Sequence, residues 1–234
     1  MKNKDNMTLR EISPNVFLFK YDTQYDLCMS FVRMQEFYES PHFKGRYFTL
    51  ETFMDWWAKD QSDIKGSFDY PARWNGFNIP GEVVSNWLFE CDEDILRPKE
   101  LKILRKIAKR FKIKLDNYTD ASTFHECLKY GLKDIYIIGV HKESSYSKED
   151  INHELAHAFY TLYPKYRKKC QKLISKVDKD IVKYAMDSLI KKGYDTDFLD
   201  DEFQAYCSTG IAYGIHDSLI NNFVSFKKSV KKQK

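Results

Sequence analysis

Hydrophobic and polar positions predict strands in four places. Val16-Phe17-Leu18-Phe19-Lys20-Tyr21 follows the turn signal Ser13-Pro14-Asn15 and is rich in β-formers. Asp134 to His141 is the best strand of the chain. Leu27, Met29 and Phe31 alternate, which suggests a further strand over 26–34, and Ile113–Leu115 suggests a short one. Helical spacing dominates elsewhere. Thr49 is a good N-cap for a helix to about Lys59, with Phe53, Trp56 and Trp57 as its apolar stripe. Pro80 suits a helix start, and Glu82–Phe89 reads as a short helix. Leu101, Leu104, Ile107, Ala108 and Phe111 define an amphipathic helix with a solvated Lys/Arg face. Asp120 or Ser122 can cap a helix to about Tyr130, where Gly131 can end it. Ser147 is an N-cap before Glu149 and Asp150, and Ile151, Leu155, Ala158, Phe159 and Leu162 form the stripe of a helix that Pro164 stops. One or two Lys-rich helices follow over 165–192, ending at Gly193. Helices over 198–209 and 217–228 come last, separated by Gly210 and Gly214.

This mixture gives an α+β fold. The pattern changes near 92–97, dividing the chain into an aromatic-rich portion, 1–97, and a more helical portion, 98–234. All four Trp lie before residue 90. The loop-like stretch 60–82 carries Phe68, Tyr70, Trp74 and Phe77; its rings pin it to the core or, in the less favoured reading, form a binding surface.

Charge and cysteine content narrow the classes. The net charge of +4 is partly local, because five lysines fall in the last eight residues, which read as a frayed, solvated tail. No nucleic-acid-reading motif accompanies the Lys-rich helices, so nucleic acid is not an expected partner. Five cysteines without a CxxC pair fit a reduced, cytoplasmic protein. The N-terminus runs into no apolar segment, and no apolar run approaches a membrane span. No Gly-rich phosphate loop is present, so nucleotide hydrolysis is not expected.

The chemistry lies in His153-Glu154-Leu155-Ala156-His157. Two histidines four apart on a helix turn through about 400°, so both imidazoles leave nearly the same side and can grip one zinc ion. Glu154 sits about 100° round from His153, where its carboxylate can take a proton from a water beside the metal. A catalytic zinc takes a third protein ligand. The candidates are Glu202, Asp200, Asp201 and His216. Glu202 is favoured, because the small Ala205 three residues on lets its helix approach closely; Asp200 or Asp201 can then accept from a ligand imidazole. His125 and Cys127, two apart on a helix, point away from one another and cannot share an ion. His42 and His141 read as structural or turn histidines.

His153-Glu154-Leu155-Ala156-His157 followed by Asp201-Glu202-Phe203-Gln204-Ala205-Tyr206 resembles the gluzincin branch of the zinc metallopeptidases, in which a glutamate on a later helix is the third ligand. The two-motif arrangement is similar to the protease domain of anthrax lethal factor and, more loosely, to small regulatory peptidases of phage and bacterial stress responses. The resemblance covers about residues 100–215 and leaves the N-terminal portion out. No Gly follows the second His, so the metzincin pattern is absent.

The resemblance implies a zincin-like core of helices around a small mixed sheet, one Zn2+ per chain on His153, His157 and Glu202, and Glu154 as general base. It implies a peptide or protein substrate, bound in extended form along an edge strand, a role falling to Ile135–Val140 or a neighbouring strand. Tyr194 is the foremost candidate to stabilise the oxyanion, with Tyr206 and His216 as others. The competing expectation is a zincin-derived protein without catalysis that acts through its N-terminal region; the intact Glu154 weighs against it.

Overall fold

In the computed structural model, β1 (Met7–Ser13) and β2 (Val16–Tyr21) form an antiparallel hairpin. Its loop is Pro14-Asn15, and Asn15 takes φ 61°, a left-handed conformation that Asn tolerates better than most side chains. The structure describes residues 6–91, 94–144, 147–191, 194–210 and 217–231, with the side chains of Ser147 and Asp217 outside that description. Gly193, Gly214 and His216 also lie outside it.

The sheet is mixed and four-stranded, in the order β1-β2-β4-β3, with β3 at Gly76–Pro80 and β4 at Tyr136–His141. β2 and β4 are parallel, from Val16 beside Tyr136 to Tyr21 beside His141; β3 and β4 are antiparallel. The expected strand over 134–141 therefore lies in the middle of the sheet. Both of its edges are occupied, so Ile135–Val140 offers no edge to a substrate, and the outer strand on that side is β3. Gly, Asn and Pro disfavour strands and make 76–80 look like a loop, but a five-residue edge strand can carry them. Strands of the 1–97 and 98–234 portions share this one sheet.

Each face of the sheet covers its own core, as the two-residue period of a strand requires. Phe17, Phe19, Phe77, Ile79 and Ile137 face one core, Val16, Leu18, Tyr136, Ile138 and Val140 the other. Against the first pack α1 (Gln24–Glu39), α2 (Leu50–Asp60), α3 (Gly81–Cys91), α4 (Pro98–Arg110) and α5 (Ala121–Leu132). Against the second pack α6 (Ser147–Leu162), α7 (Pro164–Ile174), α8 (Lys179–Lys191), α9 (Leu199–Thr209) and α10 (Asp217–Lys231).

Several helix starts follow the expected chemistry. The Thr49 hydroxyl accepts from Thr52 N–H at 3.2 Å, and the Asp120 carboxylate from Thr123 N–H at 2.8 Å. The Gly210 φ of 81° closes α9. Ser147 falls inside α6 rather than before it.

Other elements differ. The stretch 26–34 is helical, within α1, because Thr23 accepts from Asp26 N–H at 3.1 Å and starts a helix there. Its positions between the apparent alternation are buried as well, Cys28, Ser30 and Val32 among them, so a helix buried nearly all round mimicked a strand. The polar residues of α1 find partners inside: Arg33 holds Glu100 through Nε at 2.8 Å and Asp94 through Nη1 at 2.8 Å. α1 lies close on β4, since a Cβ on Gly139 would fall 2.7 Å from Leu27 and 2.8 Å from the Phe31 ring.

Ile113–Leu115 is not a strand; the Ile113 N–H closes the end of α4 on the Ala108 carbonyl at 2.9 Å. Lys227–Lys231 is helical rather than frayed, because Val230 is buried and Phe226 packs on Phe159 at 5.1 Å between ring centroids. No helix among the described residues is long and apolar enough to cross a membrane.

Candidate metal centre

α6 and α9 pack closely on one another, and both carry small, fully buried residues, Ala156 and Ala158 on α6 and Ala205 on α9. The close approach brings His153 and His157 of α6 to Glu202 of α9. The two Nε2 atoms lie 3.2 Å apart. Glu202 Oε1 is 3.5 Å from His157 Nε2, and Oε2 is 3.8 Å from His153 Nε2. Among the described residues this is the group of His, Cys, Asp and Glu that could hold a metal ion, one ligand atom from each lying within 4.8 Å of the others.

The donor set fits a tetrahedral ion. Ligand atoms about 2.0–2.2 Å from one tetrahedral centre lie roughly 3.3–3.6 Å from each other, and the separations of 3.2, 3.5 and 3.8 Å, the last two to different oxygens of Glu202, bracket that range. Two imidazoles and a carboxylate leave one tetrahedral position for water or substrate and form a donor set that zinc accepts.

Asp201 supports His157 from behind. Its Oδ1 lies 3.1 Å from His157 Nδ1 and so fixes the tautomer that turns Nε2 toward Glu202. Burial disfavours the His157 imidazolium, but Asp201, Glu202 and Glu154 outweigh it and hold the group well above its ordinary value. His153 Nδ1 has no hydrogen-bond partner among the described residues, and the ring packs against Tyr206 with centroids 4.7 Å apart.

Glu154 is 8% exposed, and its Oε2 has no hydrogen-bond partner among the described residues. Burial raises its carboxyl above the ordinary range; the two histidines pull it down, Glu202 pushes it up, and the nearby Asn78 amide lowers it. It can fit because β3 presents no side chain there: a Cβ on Gly76 would fall 2.5 Å from Glu154 Oε1.

These groups open into a cavity of about 540 Å³. Tyr194 and Tyr206 line it, their hydroxyls 3.0 Å apart. Burial and then Glu202 hold the Tyr194 phenol far above its ordinary range, so it stays a neutral donor. Asp200 is not part of the cavity lining, and His216 lies outside the described residues.

His141, His42 and His125 are engaged elsewhere. His141 Nε2 is 3.2 Å from Asn75 Oδ1, His42 stacks on Trp56 with centroids 5.0 Å apart, and His125 sits beside Phe89.

The far wall comes from the aromatic N-terminal portion, which the sequence offered as a cap or substrate-binding part without naming the residues that reach the site. Glu36 and Glu39 at the end of α1, Trp56 and Trp57 of α2, and Tyr70 and Trp74 of the following loop line the same cavity. No local signal marks them, because the sheet brings them to α6 from about a hundred residues away. The loop rings both pin the chain and line the cleft: Tyr70 and Phe77 are buried, and Trp74 is exposed.

Comparison with protein-family models, with curated proteins and with solved structures found no match.

Proposed function

We propose that the protein is a zinc-dependent peptidase of the gluzincin type, with a zincin-like core, one zinc per chain on His153, His157 and Glu202, and Glu154 as general base. The observation that carries this reading is the buried convergence of those three donors beside an unpartnered Glu154 carboxylate oxygen in a sizeable cavity. When bound, zinc supplies Lewis acidity that brings the pKa of water to about 7 and polarises a carbonyl.

The protein's own groups do the rest. Glu154 takes the proton of the attacking water and returns it to the leaving amine; its burial suits a carboxyl that must hold a proton between those steps. Tyr194 or Tyr206 donates to the oxygen on which negative charge grows. Asp201 keeps His157 in place. β3 offers its outer edge to an extended peptide.

Glu154→Gln tests the reading. The variant keeps stoichiometric zinc by metal analysis and loses chelator-sensitive cleavage of a peptide library by at least about 10²-fold. Normal cleavage by that variant would mean that the mechanism is wrong.

A further inference from the structure

The turn between α1 and α2 is fixed from inside. Gly45 takes φ 66° and donates to the Phe37 carbonyl at 2.9 Å, closing α1. The Ser40 hydroxyl accepts from the Phe43 N–H at 3.3 Å, and the buried Phe43 packs on Phe48 and Phe53. Lys44 therefore leaves a rigid base. It is not part of the cavity lining, and no step of hydrolysis touches it.

Its ammonium reaches the segment that carries Tyr194. Lys44 Nζ lies 3.0 Å from Asp197 Oδ2, 3.5 Å from Asp195 Oδ2 and 4.8 Å from the centre of the Phe198 ring. Phe198 in turn meets the Tyr38 ring of α1 edge-on at 5.1 Å. The segment's own backbone ties are short-range. Tyr194 N–H donates to the Leu189 carbonyl at 3.2 Å, Asp197 N–H to the Asp195 carboxylate at 3.0 Å, and Phe198 N–H to the Asp195 carbonyl at 3.1 Å. Tyr194, Asp195 and Phe198 line the cavity, and so do Ser40 and Pro41 at the end of α1. Lys44 thus joins two parts of the lining from behind.

We propose that Lys44 is a positioning residue for hydrolysis: it clasps Asp195–Phe198 to the α1–α2 turn and so holds the Tyr194 hydroxyl where it can donate to the developing oxyanion. The assignment rests on the peptidase reading of this cavity, with Tyr194 as the donor of the phenol pair. Tyr206 is fixed by α9 itself, its ring against His153. Tyr194 lies on irregular chain before the short turn Thr196–Phe198, so its place depends on the clasp. An oxyanion donor must stand about 2.7–3.1 Å from the oxygen, a tolerance that an untethered segment does not meet. A part-exposed ion pair and a cation over a phenyl ring are each modest, and together they favour the clasped segment about tenfold.

Two readouts on the zinc-loaded full chain test it. Hydrogen exchange at the Asp197 and Phe198 amides needs no turnover. It should quicken about five- to tenfold in Lys44→Met and stay near wild type in Lys44→Arg, which keeps a cation for the carboxylates and the ring. Cleavage of a library peptide should lose about fivefold in kcat in Lys44→Met, with KM changed by less than about twofold, and Lys44→Arg should recover most of the loss. In a Tyr194→Phe background the Lys44→Met loss should vanish, because both changes act through one hydroxyl.

Unchanged exchange in Lys44→Met overturns the clasp. A kcat loss that persists in the Tyr194→Phe background, or a Tyr194→Phe chain as fast as wild type, overturns the positioning role and leaves the peptidase reading standing. A wild-type chain that cleaves nothing overturns the peptidase reading and the positioning role with it, while exchange still decides the clasp.

Discussion

Gly76→Ala tests how Glu154 is held. A methyl group at that position would sit 2.5 Å from Glu154 Oε1, whereas ordinary contact begins near 3.4 Å, so the carboxylate must retreat by about 1 Å. The obstacle is the end of a flexible side chain, so β3 can stay and Glu154 moves. Residual crowding costs about 1–3 kcal/mol of stability, which lowers the melting temperature by a few degrees in a chain of this size. A displacement of about 1 Å in a catalytic group costs on the order of 10²-fold in rate, ~2.7 kcal/mol of transition-state stabilisation. The expected variant is folded and binds zinc like wild type, because the three donors are untouched, but its kcat is about 100-fold lower. Steady-state cleavage, metal analysis and thermal melts on the same preparation provide the three readouts. The double variant with Glu154→Gln should be no slower than Glu154→Gln alone, since both act through one carboxylate. Turnover within threefold of wild type in Gly76→Ala, or an additive loss in the double variant, refutes the reasoning.

Two further outcomes follow from single contacts. Asp201→Ala removes the acceptor 3.1 Å from His157 Nδ1 and should weaken zinc about 10–100-fold in competition with a chromophoric chelator; unchanged affinity would dissociate Asp201 from the metal centre. Burial raises Glu36 from its ordinary 4.5 to about 7. The folded state therefore binds the proton more tightly than the unfolded chain, and the resulting stability, complete below about 4.5, is lost as pH rises through about 7. The advantage of wild type over Glu36→Gln in chemical denaturation should shrink by up to ~3 kcal/mol between pH 4.5 and 8, and a gap independent of pH would contradict it.

The chemistry of the centre was legible in the sequence because most of it is local. Two histidines and a glutamate at helical spacing, an acidic first turn on α6, and a carboxylate followed by Ala205 all state their geometry within a few residues. The parts that were not legible depend on distant partners. α1 imitated a strand because Arg33 and its neighbours are buried on every side, supported by Glu100 and Asp94 some sixty residues on. β3 was hidden by Gly76, Asn78 and Pro80, yet Gly76 is the residue that makes room for Glu154. Glu36 and Glu39 lie just beyond the stretch 26–34 and carry no local signal of their place, and only the fold shows that they border the cleft.

That sheet order also constrains how the chain can be made. β2 and β3 flank a slot that β4 alone fills, and β4 emerges about sixty residues after β3. At roughly 5–20 residues per second, a nascent chain waits several seconds with two unpaired strand edges facing each other across an empty position. Such edges accept any extended segment of matching pattern. The natural competitor on a polysome is the β4 of a neighbouring copy, which would yield an exchanged dimer with each centre built from two chains. Slowing translation between residues 80 and 141, or crowding ribosomes on the message, should raise the fraction of such dimers at the expense of monomer.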